Sequence, residues 1–140
     1  MDFPVNYISV LVAALASFVI GFLWHGPVFG KTWVKLMKIT AAEMAKGQKD
    51  MAKKMPLYLV GAFVQQVITA FVIALFTAML GAHDAASAVL LACLLWVGLI
   101  VTTLFNGVLW EKRSVPLYLF NITYHLVSLV VMTLIVGVWM

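Results

Sequence analysis

Long apolar stretches alternate with short polar connections along the whole chain of 140 residues. Four stretches carry no charged residue and run over 3–24, 57–82, 85–110 and 115–140. Each reaches the roughly 20 residues that a helix needs to cross about 30 Å of hydrocarbon. The pattern therefore predicts an all-α integral membrane protein, a single domain over 1–140 with four transmembrane helices at about 5–25, 56–81, 85–110 and 115–139.

The connection between the first two spans, residues 31–54, has a different pattern. Thr40 followed by Glu43 is a capping box, which predicts a helix beginning near Ala41. Helical spacing then gives one apolar and one basic face, with Met44, Met51 and Met55 opposite Lys46, Lys49 and Lys53. This pattern is typical of an amphipathic helix lying on a membrane surface. A copper site would need the methionine sulfurs to converge, and we expect no metal site.

Composition and charge agree with a membrane location. The chain is 65% hydrophobic and 10% charged, far from the composition of soluble domains. All nine Lys and Arg fall in 31–54 or at Lys112 and Arg113, so the positive-inside rule predicts that these connections face the cytoplasm and that both termini lie outside. The net charge of +4 thus indicates topology and contact with anionic lipid headgroups, and we expect no nucleic acid partner.

The tetrapeptide PLYL occurs twice, at 56–59 and 116–119. A shift of sixty residues aligns these two copies, and a shift of eighty-one aligns 23–31 with 104–112. Both alignments describe a helix ending in an aromatic residue, a polar residue and Gly, followed by a helix that opens with Pro. They predict two helical hairpins related as parallel repeats. Chance matching of apolar sequence is the alternative.

The positions of the acidic residues do not favour an enzyme. All five lie outside the four spans, at Asp2, Glu43, Asp50, Asp84 and Glu111. Paired acids, a catalytic triad at depth and the buried acid of many proton-coupled transporters are therefore missing from the predicted spans. We expect no catalytic residues and no cofactor.

Polar residues within the spans predict one site. Gln65 and His125 are equivalent in the repeat, so we expect them to face each other across the axis of the bundle. Each lies nine residues beyond its proline, roughly 14 Å from the basic end. His25 would lie at the mouth, so a haem held between His25 and His125 is not expected. The candidate ligand-binding residues are His125, Gln65, Asn121, Asn106, His25 and Trp24.

Two functions remain open from these residues. The first is a cytoplasm-facing pocket that binds a small molecule or lipid, with transport as one use. The second is a scaffold or interaction protein, because interhelical hydrogen bonds of about 0.6 to 2 kcal/mol are common in membrane bundles. Ala13, Ser17 and Gly21 form a small-residue face for packing within the bundle or between protomers, and we expect a homo-oligomer.

Three segments of the chain resemble a bacterial family catalogued as domain of unknown function 1761. They are the opening NYISVLVAALASFVIGFLWHGPVFGKTW, the later LFNGVLWEKRS and the final NITYHLVSLVVMTLIVGVW. The resemblance covers essentially the whole chain. Members commonly carry Tyr where this chain has His25, and a Phe-Glu-Gly-Arg pattern at 110–113. The resemblance implies a small four-helix protein of the bacterial cytoplasmic membrane, and it implies no established activity.

Overall fold

The computed structural model describes residues 5–139, without the side chains of residues 51 and 52. Outside this description lie Asp2, the first two residues of the first apolar stretch (3–4), Met140 and the side chain of Met51. The elements are α1 (Tyr7–Leu23), a π-helical segment (Trp24–Val28), α2 (Gly30–Leu36), α3 (Ala41–Leu80), α4 (Ala85–Leu95), a second π-helical segment (Trp96–Val101), α5 (Thr102–Trp110) and α6 (Val115–Trp139).

Four helices within residues 5–139 are long and apolar enough to cross a membrane, which confirms the predicted number of spans. They cover Tyr7–Val28, Lys53–Leu80, Ala85–Trp110 and Val115–Trp139. The third span therefore includes α4, the second π-helical segment and α5.

Helix α6 lies at the centre of the bundle, because it packs against α1, α3, α4 and α5. Helix α1 also packs against α3, so the two helices of each predicted hairpin are in contact. In contrast, α3 and α4 diverge from their shared turn and leave an apolar groove of about 250 Å³ that reaches Leu129 of α6. The bundle is therefore open between α3 and α4, and the duplication of the hairpins stays a prediction.

Small residues form much of the buried core. The fully buried alanines are Ala13, Ala14, Ala70, Ala74 and Ala92. Because lipid tails are as apolar as leucine, close approach of backbones is a main source of helix association in a membrane, and small residues permit it. On α1, Ser17 is also fully buried, and a Cβ added to Gly21 would lie 2.7 Å from the hydroxyl oxygen of Tyr124 on α6. The small-residue face of α1 thus packs inside the bundle.

The amphipathic segment is part of a much longer helix. As predicted, helix α3 begins at Ala41, and the Thr40 hydroxyl oxygen accepts the backbone N–H of Glu43 at 3.1 Å. The helix then continues for 40 residues to Leu80, about 60 Å. Pro56 lies inside it, so the prediction that Pro56 opens a helix is wrong, whereas Pro116 does lie in the first turn of α6.

The continuity across Pro56 has a local cause. Pro56 removes one backbone hydrogen bond and its ring crowds the carbonyl four residues earlier, which costs about 3 kcal/mol. The residues that precede it are mostly Ala, Lys and Met, which favour helix and offset part of this cost. Residues 31–54 therefore belong to α2, a turn and the beginning of α3. The structure has no separate surface helix in this part of the chain.

The two basic connections lie at the same end of the bundle. Helix α2 contacts α6, and the end of α2 shares a cavity with the connection between α5 and α6. We call this end the basic end, because all nine Lys and Arg residues belong to these connections and to the start of α3.

Candidate functional site

A cavity of about 420 Å³ opens at the basic end, between the π-helical segment that follows α1, helix α2 and the start of α3. We call it the mouth pocket. Its lining residues are His25, Gly26, Gly30, Lys31, Trp33, Val34 and Met44. Lys31 is the one charged side chain in this lining, so the pocket combines a cation, an imidazole, an indole and apolar surface.

A break in the first span creates the mouth pocket. Gly26, within the π-helical segment, has φ −119° and ψ −108°, which is not helical. Pro27 follows; its ring disfavours the α region for the preceding residue, and it has no N–H to donate. The chain therefore leaves the axis of α1 here and continues as α2, and the pocket opens beside this break, against the start of α3.

His25 has a fixed position on the wall of the mouth pocket. Its Nδ1 donates to the carbonyl oxygen of Gly21 at 3.0 Å, so in the neutral ring Nε2 is left as an acceptor. Three aromatic rings surround the imidazole edge-on, with centroid distances of 5.0 Å to Tyr124, 5.8 Å to Trp33 and 5.9 Å to Phe120. These rings restrict the imidazole, which is half-buried.

Trp24 lies behind the mouth pocket and does not line it. Its ring packs against Phe29 at 4.6 Å, Phe120 at 5.8 Å and Tyr124 at 6.1 Å. Among the described residues its indole N–H is buried and has no hydrogen-bond partner. Trp24 therefore supports the aromatic wall that holds His25.

His125 lies much closer to His25 than the sequence predicts. The Tyr124 ring is 5.0 Å from each of the two imidazoles, so the two imidazole centroids are at most 10 Å apart. The predicted depth difference of roughly 14 Å is therefore wrong, and it gives no argument against a group held between the histidines. The cause is the axial position of α6, whose third turn, at Tyr124, lies beside the end of α1.

A buried polar network lies one turn from His125. The Ser17 hydroxyl donates to Gln66 Oε1 at 2.6 Å and is also hydrogen-bonded to the Ser128 hydroxyl. This network joins α1, α3 and α6 at a single point. Together with His25 and Tyr124, it forms a chain of polar and aromatic side chains from the mouth pocket into the bundle.

Gln66 takes the place that the sequence analysis gave to Gln65. Gln65 is exposed, and neighbouring residues on a helix point about 100° apart. In the structure the buried residues Ala70, Ile73 and Thr77 follow Gln66 at i+4, i+7 and i+11, so Gln66 lies on the inner face of α3. The sequence did not separate the two glutamines, because the residues on both faces of this span are apolar. The prediction that Gln65 and His125 face each other across the bundle is therefore wrong.

The two predicted asparagines lie away from the mouth pocket. Asn106 is exposed on α5. Asn121 lines a cavity of only about 20 Å³ between α5 and α6. Of the six predicted residues, the structure thus brings together His25, Trp24 and His125, and it adds Lys31 and Trp33, which the sequence analysis did not select. Residues 5–139 contain no group of three or more His, Cys, Asp or Glu side chains that could hold a metal ion.

Comparison with known proteins gives one match. The model of a family described as protein of unknown function (DUF1761) matches residues 8–137, which is nearly the whole chain. The comparisons with curated proteins and with solved structures find no match. With its four apolar helices and this match along almost its full length, the chain belongs to the DUF1761 family.

Proposed function

We propose that this protein binds a small ligand in the mouth pocket and catalyses no reaction. The observation that carries the proposal is the pocket itself: about 420 Å³ at the basic end, with His25 held in its wall and Lys31 at its edge. Binding sites typically combine an apolar lining with a few fixed polar groups in a cavity of this size.

The lining favours an amphiphilic ligand with an acidic group. Lys31 attracts an anion, and, because Nδ1 of His25 donates to Gly21, its Nε2 faces the ligand as the second polar atom of the imidazole. Trp33, Val34 and Met44 offer apolar surface to the rest of the molecule. Gly26 adds no side chain to the pocket, where a Cβ would meet no atom within 4 Å.

Transport is one use of such a site. The polar chain from His25 through Tyr124 reaches the network of Ser17, Gln66 and Ser128. Beyond that network, the buried residues are mainly apolar, as at Ala70, Ala74, Met132 and Val136. This arrangement supports a blind pocket, so movement of a ligand to the other side would require a change in helix packing.

Native mass spectrometry on the protein released from mild detergent tests the proposal. We compare the wild type with His25→Ala and with the matched control His83→Ala, which removes an exposed histidine in the turn before α4. A discrete adduct that disappears only in His25→Ala supports the mouth pocket. Clean protomer masses in all three proteins, in a preparation that also binds no added acidic amphiphile, would contradict it.

The alternative is a scaffold or interaction protein, and a specific observation favours it. Several partly buried side-chain hydrogen bonds join different spans, including Ser17 to Gln66 at 2.6 Å and the Trp96 indole N–H to the Ile122 carbonyl at 2.7 Å. These bonds suffice to explain the polar residues as packing contacts. In this case His25→Ala lowers thermal stability and changes the binding of no ligand.

Three further features belong to the proposal. By the positive-inside rule, the basic end faces the cytoplasmic side of a bacterial inner membrane. The lysine-rich segment 31–54 contacts anionic lipid headgroups. The protomers form a homo-oligomer. A cysteine placed at Lys46 tests the orientation. Its reaction with an impermeant reagent in intact cells would contradict a cytoplasmic basic end.

A further inference from the structure

A second cavity lies at the basic end, between the end of α2 and the connection from α5 to α6. It measures about 280 Å³, and we call it the interloop cavity. Its polar lining is Lys38, Lys112, Arg113 and Ser114, and its apolar lining is Leu36, Met37 and Leu117. It shares no lining residue with the mouth pocket.

The backbone of two lysines in this cavity is unusual. Within residues 5–139, Lys38 and Lys112 are the residues other than glycine that have positive φ, and both have φ 55°. Each follows the C-terminus of a helix, where glycine or asparagine is the usual residue. An L side chain in this left-handed region approaches the following carbonyl oxygen, so glycine would be the more stable residue at either position.

Hydrogen bonds of the helix ends hold both lysines in this conformation. After α2, the N–H of Lys38 donates to the Lys35 carbonyl and that of Ile39 to the Val34 carbonyl, both at 3.2 Å. After α5, the N–H of Arg113 donates to the Gly107 carbonyl at 3.0 Å. The two strained positions therefore place cations at the same cavity from two separate connections, which points to a function for the charge.

The charges in the interloop cavity suit a phosphate group. Arg113 Nε donates to Glu111 Oε2 at 3.1 Å, so three cations and one nearby carboxylate leave a net charge of +2. The other guanidinium N–H groups and two ammonium groups remain to donate. Ser114 accepts the backbone N–H of Leu117 at 3.3 Å, and its own hydroxyl proton is free to donate.

The position of the cavity suits a lipid. The third span ends at Trp110 and the fourth begins at Val115, so the residues between them lie at the level of the headgroups. The apolar side of the cavity, which includes Leu36 and Met37, suits a ligand that carries apolar groups next to its phosphate. We propose that the interloop cavity binds the phosphate of an anionic phospholipid headgroup.

The test is a native mass spectrometry titration of the full-length protein with phosphatidylglycerol and, separately, with phosphatidylcholine. The variant is Lys38→Gly/Lys112→Gly, which removes two cations and relieves the backbone strain. The matched control, Lys46→Ala/Lys49→Ala, removes the same charge from the start of α3. We expect phosphatidylglycerol affinity to fall roughly ten- to thirty-fold in the variant. The control should fall by less than about three-fold, because Lys49 and Lys46 lie about 6 and 10 Å along α3 from the span that begins at Lys53 and attract headgroups only at this longer range.

A second measurement separates binding from folding. Because glycine favours positive φ, we expect the thermal midpoint of Lys38→Gly/Lys112→Gly to equal or exceed that of the wild type. If glycine alters the connections, Lys38→Asn/Lys112→Asn keeps a side chain that tolerates the left-handed region and must lose the same affinity. Stability that rises while phosphatidylglycerol binding falls supports the assignment.

Two results would overturn it. Equal losses of phosphatidylglycerol affinity in the variant and in the control would mean that net charge alone attracts the lipid. Phosphatidylglycerol affinity that is unchanged in the variant, while millimolar inorganic phosphate binds the wild type and not the variant, would mean that the cavity is a site for a soluble phosphate. Neither result depends on the mouth pocket, since the variant leaves His25 and Lys31 unchanged.

Discussion

The buried network of Ser17, Gln66 and Ser128 offers the most direct test of the packing. We compare Gln66→Ala with Gln65→Ala, the same substitution at adjacent positions of one helix. Gln66 accepts from the Ser17 hydroxyl at 2.6 Å, whereas Gln65 is exposed and, among the described residues, its side chain makes no hydrogen bond. Helix propensity changes equally in both variants, so their difference isolates the interhelical contact.

The expected magnitude follows from interhelical hydrogen bonds in membrane proteins, which average about 0.6 kcal/mol and reach about 1.7 kcal/mol. The Ser17 to Gln66 bond is short, and truncation also removes the packing of a half-buried side chain. We therefore expect Gln66→Ala to lower the free energy of unfolding by about 1 to 2 kcal/mol. The exposed Gln65→Ala should change it by less than about 0.5 kcal/mol.

The assay is equilibrium unfolding in mixed micelles of a mild detergent and dodecyl sulfate, followed by circular dichroism. A double-mutant cycle with Ser17→Ala should give a coupling energy of about 0.6 to 1.7 kcal/mol between Ser17 and Gln66. An equal loss of unfolding free energy in Gln65→Ala and Gln66→Ala would mean that α3 is rotated about its own axis relative to the structure, and would contradict the interhelical contact of Gln66.

Two other predictions concern the turn between α3 and α4. The side-chain and backbone hydrogen bonds from Ser87 lower the pKa of Asp84 below 3.8, so its cap stabilises the fold above that pH and is lost as the pH falls through the lowered pKa. Thermal midpoints of wild type and Asp84→Asn measured from pH 6 to pH 2 should therefore converge at low pH, and a constant difference would contradict this cause. Gly137 of α6 packs against the same turn, and a Cβ added there would lie 2.7 Å from the Ala82 backbone oxygen. Gly137→Ala should therefore lower the free energy of unfolding by about 1 to 3 kcal/mol in the same unfolding assay. The control Gly61→Ala places its Cβ in open space and should not lower it.

The candidate site was only partly predictable from sequence. His25 and Trp24 were found because a histidine and an aromatic residue stand beside Gly and Pro at the end of a span. The distance between His25 and His125 was not predictable, since it depends on how far α6 is displaced along its axis relative to α1. The interloop cavity was equally hidden, because Lys38 and Lys112 meet only when two separate connections lie side by side.

The amino-acid sequence alone was enough to specify the four transmembrane spans and several helix ends. Apolar length sets whether a helix can span a bilayer, and a cap such as Thr40 with Glu43 acts within one turn, so both are local properties. Helix rotation and axial displacement are different. Helices that are apolar around their whole circumference carry little signal for which face lies inside. Only the packing of α3 against α1 and α6 places Gln66, and not Gln65, in the core.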